Sequence, residues 1–216
     1  MFNDHFEVKK GSEIMPTKHS LILLAGAPGT GKGYTANIIR QALPNLTYAP
    51  LDMYKEHIYD EIGFDNVEQK DALDEEARQR YYRAIDIMMA NGKNILGDYP
   101  FSYKQKPYLT KAAAAHDYNV ITVRLEAPAQ VLYDRQRARD KEEPRHLGHL
   151  MQHYHFGDKL TDETKLDGMP SFEVYQRRLT DRGYDKFELG KLIRLDVSDY
   201  SKINYEQLIA EIKNAL

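Results

Sequence analysis

The sequence predicts an α/β fold in which five parallel strands are wrapped on both faces by helices. Three observations carry that expectation. Strand-like runs alternate with helix-like ones along the 216 residues, the order expected of successive βα units. The first run, residues 20–25 (SLILLA), is continuously apolar and leads into a glycine, as a strand buried on both faces should. A hydrophobic content of 42% is enough for one sizeable core, so a single domain over residues 1–216 is expected.

Taken in order, residues 32–42 read as a helix with Ile38, Ile39, Ala42 and Leu43 on its apolar side. A short second strand spans 46–51 (LTYAPL), with Pro50 confined to its end because proline cannot donate to a ladder. Residues 67–91 form a long helix, in which Ala77, Tyr81, Ile85, Met88 and Met89 recur at helical spacing and Asn91-Gly92 supply the stop. Strand three is 94–97, a helix covers 104–117, and strand four is 120–125 (VITVRL). Pro128 opens the next helix, where its missing N–H costs nothing. The last strand is 192–196, and the final helix presents Tyr205, Leu208, Ile209 and Ile212 behind a capping box of Asn204 and Gln207. Residues 157–170 (GDKLTDETKLDGMP) are polar and weakly periodic, so they read as an exposed loop within a closing segment, 134–170.

Composition narrows the chemistry. The 30 Lys+Arg and 33 Asp+Glu leave a net charge of -3, which gives no global field for nucleic acid or an anionic membrane, and any anion site must be local. The absence of cysteine removes disulfides and thiolate catalysis and suits a reducing cytoplasm. Residues 1–10 carry Asp4, His5 and Glu7 where a signal peptide needs an apolar run. The longest apolar stretch, residues 21–25, is far short of the ~20 residues of a membrane helix.

The strongest motif is Gly26-Ala27-Pro28-Gly29-Thr30-Gly31-Lys32-Gly33, between strand one and a helix. Its glycines permit torsions that turn successive N–H groups onto phosphate oxygens. The helix N-terminus adds partial positive charge, and Lys32 adds a full one. Ser or Thr commonly follows the lysine and holds Mg²⁺; here Gly33, Tyr34 and Thr35 follow. The glycine resembles the loop of the adenylate kinase family, and Mg²⁺ is then expected to be held through waters and carboxylates.

Asp52 follows strand two and Asp98 strand three, at the same carboxyl edge of a parallel sheet as the phosphate loop. Asp98, after Ile95-Leu96-Gly97, suits orientation of Mg²⁺ or its water shell. Asp52 suits acceptance of a proton from an attacking hydroxyl; either aspartate is also able to serve only as a turn or helix cap. Among Arg135, Arg137, Arg139, Lys141 and Arg145, the first and third are one helical turn apart and share a face. They are the candidates for stabilising a transferring phosphoryl group, against the alternative of a salt-bridged surface face. Half of the eight histidines lie in 145–156. His149 and His153 have the spacing of a zinc pair without an obvious third ligand, and the histidines equally suit closure over phosphate, packing or solvation.

With GAPGTGKG, the segment Leu51-Asp52-Met53-Tyr54-Lys55-Glu56, Asn94-Ile95-Leu96-Gly97-Asp98, VRLEAPAQVLYDRQRARD and Arg145-His146-Leu147-Gly148-His149 in view, the chain resembles P-loop kinases of the AAA_33 and zeta-toxin type. That group is related to gluconate, shikimate and chloramphenicol kinases. The resemblance covers most of residues 20–155 and implies a P-loop NTPase fold with the nucleoside-kinase-like strand order 2-3-1-4-5. It further implies ATP and Mg²⁺ as cofactors, the aspartate at 52 as catalytic base, and arginines of helix 129–140 on the phosphates.

The expected activity is transfer of the γ-phosphate of ATP to a hydroxyl of a small molecule. Lys32, Asp52, Arg135 and Arg139 are its catalytic candidates, residues 26–34 including Tyr34 its nucleotide loop, and Asp98 its metal ligand. Tyr54, Tyr59, Tyr99 and Tyr103 are candidates for lining the acceptor pocket. A nucleoside or nucleotide kinase is the nearest alternative, and a nucleotide switch or ATPase driving a protein partner is another. Nucleic acid is not an expected partner, because no basic stripe is present.

Overall fold

A computed structural model describes residues 18–142, 145–160 and 166–216. The N-terminal residues 1–10, parts of the closing segment and Glu143 therefore lie wholly or partly outside the described residues.

Five parallel strands form one sheet in the order β2-β3-β1-β4-β5, as expected. They are β1 (Ser20–Ala25), β2 (Thr47–Pro50), β3 (Ile95–Asp98), β4 (Asn119–Glu126) and β5 (Lys191–Asp196). Every residue of β1 is buried, and its side chains alternate between two cores. Leu21, Leu23 and Ala25 pack with Tyr81, Ile85, Met89, Phe101 and Leu109 on one face. Ile22 and Leu24 pack with Ile39, Leu208 and Ile212 on the other. This two-sided burial is what a continuous apolar strand specifies.

The helices α1 (Lys32–Ala42), α3 (Val67–Ala90), α4 (Lys106–Ala115), α5 (Ala129–Glu142) and α8 (Tyr205–Lys213) follow the expected runs within a few residues. The expected capping box at α8 is only half formed. Asn204 Oδ1 accepts from the Gln207 N–H at 2.9 Å, but the Gln207 side chain donates forward to Glu211 instead of back to residue 204.

Three helices were not anticipated. α2 (Leu51–Ile62) starts directly after Pro50, so Asp52 lies in its first turn instead of in a loop. Its signal was present: Leu51, Ile58 and Tyr59 are buried at helical spacing, and Gly63 closes the helix at φ 74°. α7 (Phe172–Arg182) is capped by the Ser171 side chain and ends at Gly183 in the left-handed region. It buries Tyr175 alone among its residues, which is too little for a periodic pattern to reveal. A one-turn helix, α6 (Leu147–Leu150), lies against α2.

Register fixes the geometry of the carboxyl edge. Asp98 is the last residue of β3, and Leu24 of β1 and Pro50 of β2 are its neighbours on either side. The phosphate loop and the start of α2 therefore leave the sheet beside Asp98. Among the described residues no helix is long and apolar enough to cross a membrane.

Leu23 is fully buried at the centre of the sheet, so Leu23→Ala is expected to cost about 2–5 kcal/mol, whereas Asn204→Ala should cost about 1 kcal/mol through the lost cap. Urea unfolding of both variants, read as a shift in midpoint at constant slope, measures the two costs.

Candidate functional site

The loop between β1 and α1 is shaped by its glycines. Gly29 and Gly31 have φ of 89° and 79°, a region that side chains disfavour. A Cβ on Gly29 would stand 2.1 Å from the Leu132 carbonyl oxygen, so this position admits nothing larger. Among the described residues the N–H groups of Gly29 and Gly31 have no backbone acceptor, which leaves donors for an anion. The loop carbonyls are engaged from the other side. Tyr175 OH donates to Pro28 O at 2.7 Å, Tyr200 OH to Gly29 O at 3.3 Å and Thr30 Oγ1 to Ala27 O at 2.8 Å.

Lys32, first residue of α1, folds back so that Nζ donates to Gly26 O at 2.9 Å and Ala27 O at 3.1 Å. Burial pushes its ammonium down to about 8. Asp98 and Asp52 oppose that shift, and Arg139 and Arg145 reinforce it. These five groups therefore share one electrostatic neighbourhood, as the strand topology requires of the first three.

The two aspartates are shifted in opposite directions. Burial raises the Asp98 carboxyl above its usual range and outweighs Lys32 and the hydrogen bond from Tyr48 OH at 2.9 Å. Burial would also raise Asp52, but His149, Lys55, Arg145 and Lys32 together hold it below the carboxylate range. Asp52 is thus the carboxylate held in its ionised form, and Asp98 is the one whose negative charge is least compensated by the chain.

The arginines divide differently from their helical spacing. Arg139 and Arg145 both bind Asp140 Oδ1, with closest contacts of 2.8 and 2.5 Å, and Asp140 is buried. That carboxylate aligns the two guanidinium groups near Lys32. Arg135 leaves the same helix toward β5: it donates to Val197 O at 2.5 Å and Ser198 O at 2.8 Å and lies 3.8 Å from the Tyr200 ring centroid. The structure therefore does not bring Arg135 and Arg139 to one target. A shared helix face does not fix where two long side chains end, and the carbonyls after β5 capture the first. Arg137 turns to Tyr133 OH at 3.0 Å.

Of the tyrosines expected around an acceptor, Tyr59 is fully buried and donates to Asp74, so it belongs to the core. Tyr103 is 59% exposed. Tyr54 packs edge-on against Tyr81 with centroids 5.6 Å apart. Tyr99 shares the surroundings of Lys55 and Asp52. Tyr34 is exposed and lies 6.0 Å from the Tyr205 ring. His149 and His153 do not act as a pair: the first meets Glu56 at 3.0 Å and the second lies 3.8 Å from Asp167. Sequence reasoning missed Lys55, Asp140, Tyr175 and Tyr200 as site residues, and left Arg145 unassigned. Tyr175 and Tyr200 reach the loop from across the fold, whereas Lys55 and Asp140 lie close in sequence to Asp52 and Arg139 and pass for ordinary charges of a helix face.

A parallel sheet of this order, with a glycine-rich loop feeding a helix and an aspartate beside it, defines a P-loop NTPase fold. The AAA_18 family model, an AAA domain, matches residues 22–155, and the chain belongs to that AAA domain family. No curated protein sequence matches the chain. Solved structures that resemble it include a provisionally assigned kinase from Chloroflexus aurantiacus J-10-fl, with TM-score 0.67 and 18% identity over 93% of this chain and 100% of that one. A gluconokinase from Sinorhizobium meliloti 1021 gives TM-score 0.51 and 14% identity over 91% and 90%. A sugar kinase from Janibacter sp. HTCC2649 gives TM-score 0.51 and 20% identity over 92% and 94%. At these identities the likeness is one of fold.

Gly29→Ala should be destabilising by about 2 kcal/mol or more, because strain and a backbone clash coincide; thermal unfolding of the variant reads this directly. Lys32 gives a pH signature. Its folded value of about 8 lies below its ordinary 10.5, so between those values the unfolded chain binds the extra proton and stability rises with pH. Lys32→Met removes that rise: relative to the natural protein, the variant should look more stable at pH 7 than at about pH 9.5, as measured by urea unfolding at both.

Proposed function

We propose that this protein is an ATP-dependent phosphotransferase that moves the γ-phosphate onto a hydroxyl of a small molecule, in the manner of the AAA_33 and zeta-toxin-like kinases its motifs resemble. The observation that carries the reading is the gathering of Lys32, Asp98, Asp52, Arg139 and Arg145 at one edge, with Asp52 kept ionised among the cations. A site for binding nucleotide alone has no use for a second, ionised carboxylate there.

The residues fit ATP and Mg²⁺. The free N–H groups of Gly29 and Gly31 and the N-terminus of α1 suit phosphate oxygens. Lys32, released from Gly26 O and Ala27 O, has its ammonium to offer them. Gly33 supplies no hydroxyl, so Asp98 is the group to hold the cation directly or through water. Its Oδ2 accepts from Tyr48 OH and its other oxygen is left for that task. When bound, the nucleotide supplies the transferable phosphoryl group and the cation offsets the charge on its oxygens.

The remaining work falls to the chain. Asp52 would take the proton of the acceptor hydroxyl as that oxygen bonds to the γ-phosphorus and the bond to the β–γ bridging oxygen breaks to release ADP, a contribution of about 10²–10⁴ in rate. Arg139 and Arg145, held by Asp140, face the oxygens on which charge accumulates. Both belong to the segment 134–170, which supports its expected closing role. Arg135, bound to the carbonyls after β5, supports the loop through Tyr200 instead of the transferring group. A cysteine-free chain suits the cytoplasmic setting of such an enzyme.

The test is phosphoryl transfer from γ-labelled ATP to a panel of sugars, sugar acids, nucleosides and nucleoside monophosphates. One acceptor class should be labelled, and Asp52→Ala and Lys32→Ala should each lower turnover by about 10² or more. Turnover unchanged in both variants would sink the reading. Labelling of nucleosides or their monophosphates would move it to the nucleoside or nucleotide kinases.

A further inference from the structure

The histidines of residues 145–156 are not used by the phosphate loop, yet each is turned toward a carboxylate. His146 Nε2 meets Asp60 at 3.0 Å, His149 Nε2 meets Glu56 at 3.0 Å and His155 Nε2 meets Asp65 at 2.9 Å, while His153 lies 3.8 Å from Asp167. Three of these acids belong to α2 or to the turn that follows it. Tyr154 strengthens the same seam. Its hydroxyl donates to Asp60 at 2.5 Å, and its backbone exchanges hydrogen bonds with Phe64. His146 Nδ1 accepts from the Gly148 N–H at 3.1 Å, which puts the proton of its neutral form on Nε2, facing Asp60.

His149 stands apart from the other three. Its side chain is 7% exposed, against 16% for His146 and more than half for His153 and His155. Its partner Glu56 is one helical turn beyond Asp52, so both acids share a face of α2. The charged groups around the imidazole are Glu56, Asp52 and Lys55 from α2 and Arg145 from its own segment. The Tyr59 and His146 rings pack at 5.9 and 6.0 Å. Of the cations acting on Asp52, His149 is the strongest when protonated.

We infer that His149 is a positioning residue for Asp52: neutral, it fixes the α2 face that carries Asp52, and protonated, it weakens Asp52 as a base. This rests on the phosphotransferase reading of Asp52. In the neutral form Nε2–H donates to Glu56 and ties α6, which carries His149 four residues after Arg145, to the helix bearing the base. A second proton on the ring places a full positive charge on a side chain that is itself almost closed to water, where screening is weaker than at the surface. That charge adds to Lys32, Lys55 and Arg145, and a carboxylate so stabilised takes a proton from a hydroxyl less readily. Burial together with Lys55 and Arg145 disfavours the imidazolium, and Glu56 and Asp52 favour it; burial prevails, and His149 titrates below its ordinary value. The weakening therefore sets in on the acid side of neutrality.

The test uses water as acceptor and needs no identified substrate. ATP hydrolysis is measured across pH for the natural protein, His149→Gln and Asp52→Asn; glutamine still donates to Glu56 and gains no proton. Titration of ATP itself affects all three alike and cancels in the ratio of His149→Gln to natural turnover. That ratio should rise by about threefold or more from about pH 8 to about pH 5.5. A ratio constant with pH would leave His149 a purely structural residue and overturn the inference. If Asp52→Asn hydrolyses ATP as fast as the natural protein, the phosphotransferase reading fails instead. A second measurement is independent of turnover. In protein carrying ¹³C-labelled histidine, the His149 resonance, assigned by its loss in His149→Gln, should titrate at lower pH in Asp52→Asn than in the natural protein. An unmoved midpoint removes the coupling.

Discussion

Because β1 and β2 both pair with β3 in parallel, Leu24 and Pro50 flank Asp98, and the chain leaves all three strands at one edge. The phosphate loop begins two residues past Leu24 and Asp52 stands two residues past Pro50. A shift of one residue in either pairing would reverse the faces of the strand concerned. It would also carry Ile22 and Leu24, or Ala49, out of the cores they fill. The burial that stabilises the sheet is thus the same constraint that brings Lys32, Asp52 and Asp98 together.

What gathers there is a balance of charges that no member sustains alone. Lys32 is depressed by burial yet drawn upward by two aspartates. Asp52 is raised by burial yet carried below its usual range by Lys55, Arg145, Lys32 and, when protonated, His149. Asp98 lacks enough cationic company and remains raised. In a weakly screened site such groups respond to an added anion or cation far more than surface groups do. Asp140 plays the corresponding part for the arginines, because one buried carboxylate keeps Arg139 and Arg145 from straying into solvent.

The later third of the chain locks the earlier part in place. α7 sends Tyr175 to Pro28, and the turn after β5 sends Tyr200 to Gly29 while holding Arg135 beneath its ring. The histidine seam fastens residues 145–155 along α2. These contacts join residues 145–155, α7 and the turn after β5 to the phosphate loop and α2. Each adds a hydrogen-bonding side chain without adding apolar periodicity, so their roles stay invisible until the fold is assembled.

Much was legible in the sequence. The phosphate loop, five parallel strands, and Asp52 and Asp98 at the strand ends follow from local rules, while the strand order came from the resemblance to P-loop kinases. Glycines permit torsions that other residues resist, an apolar run must be buried on both faces, and parallel strands end at a common edge. α2 was legible in principle, through Leu51, Ile58 and Tyr59, but was hidden behind the short strand before it. The sequence did not determine which cation meets which acid. Arg135 and Arg139 are equivalent on a helical wheel and diverge in space, and His149 finds Glu56 from 93 residues away. Long side chains take the partners that tertiary packing leaves within reach. Local spacing therefore specifies the backbone edge on which the site is built, and only the folded chain decides the charges that complete it.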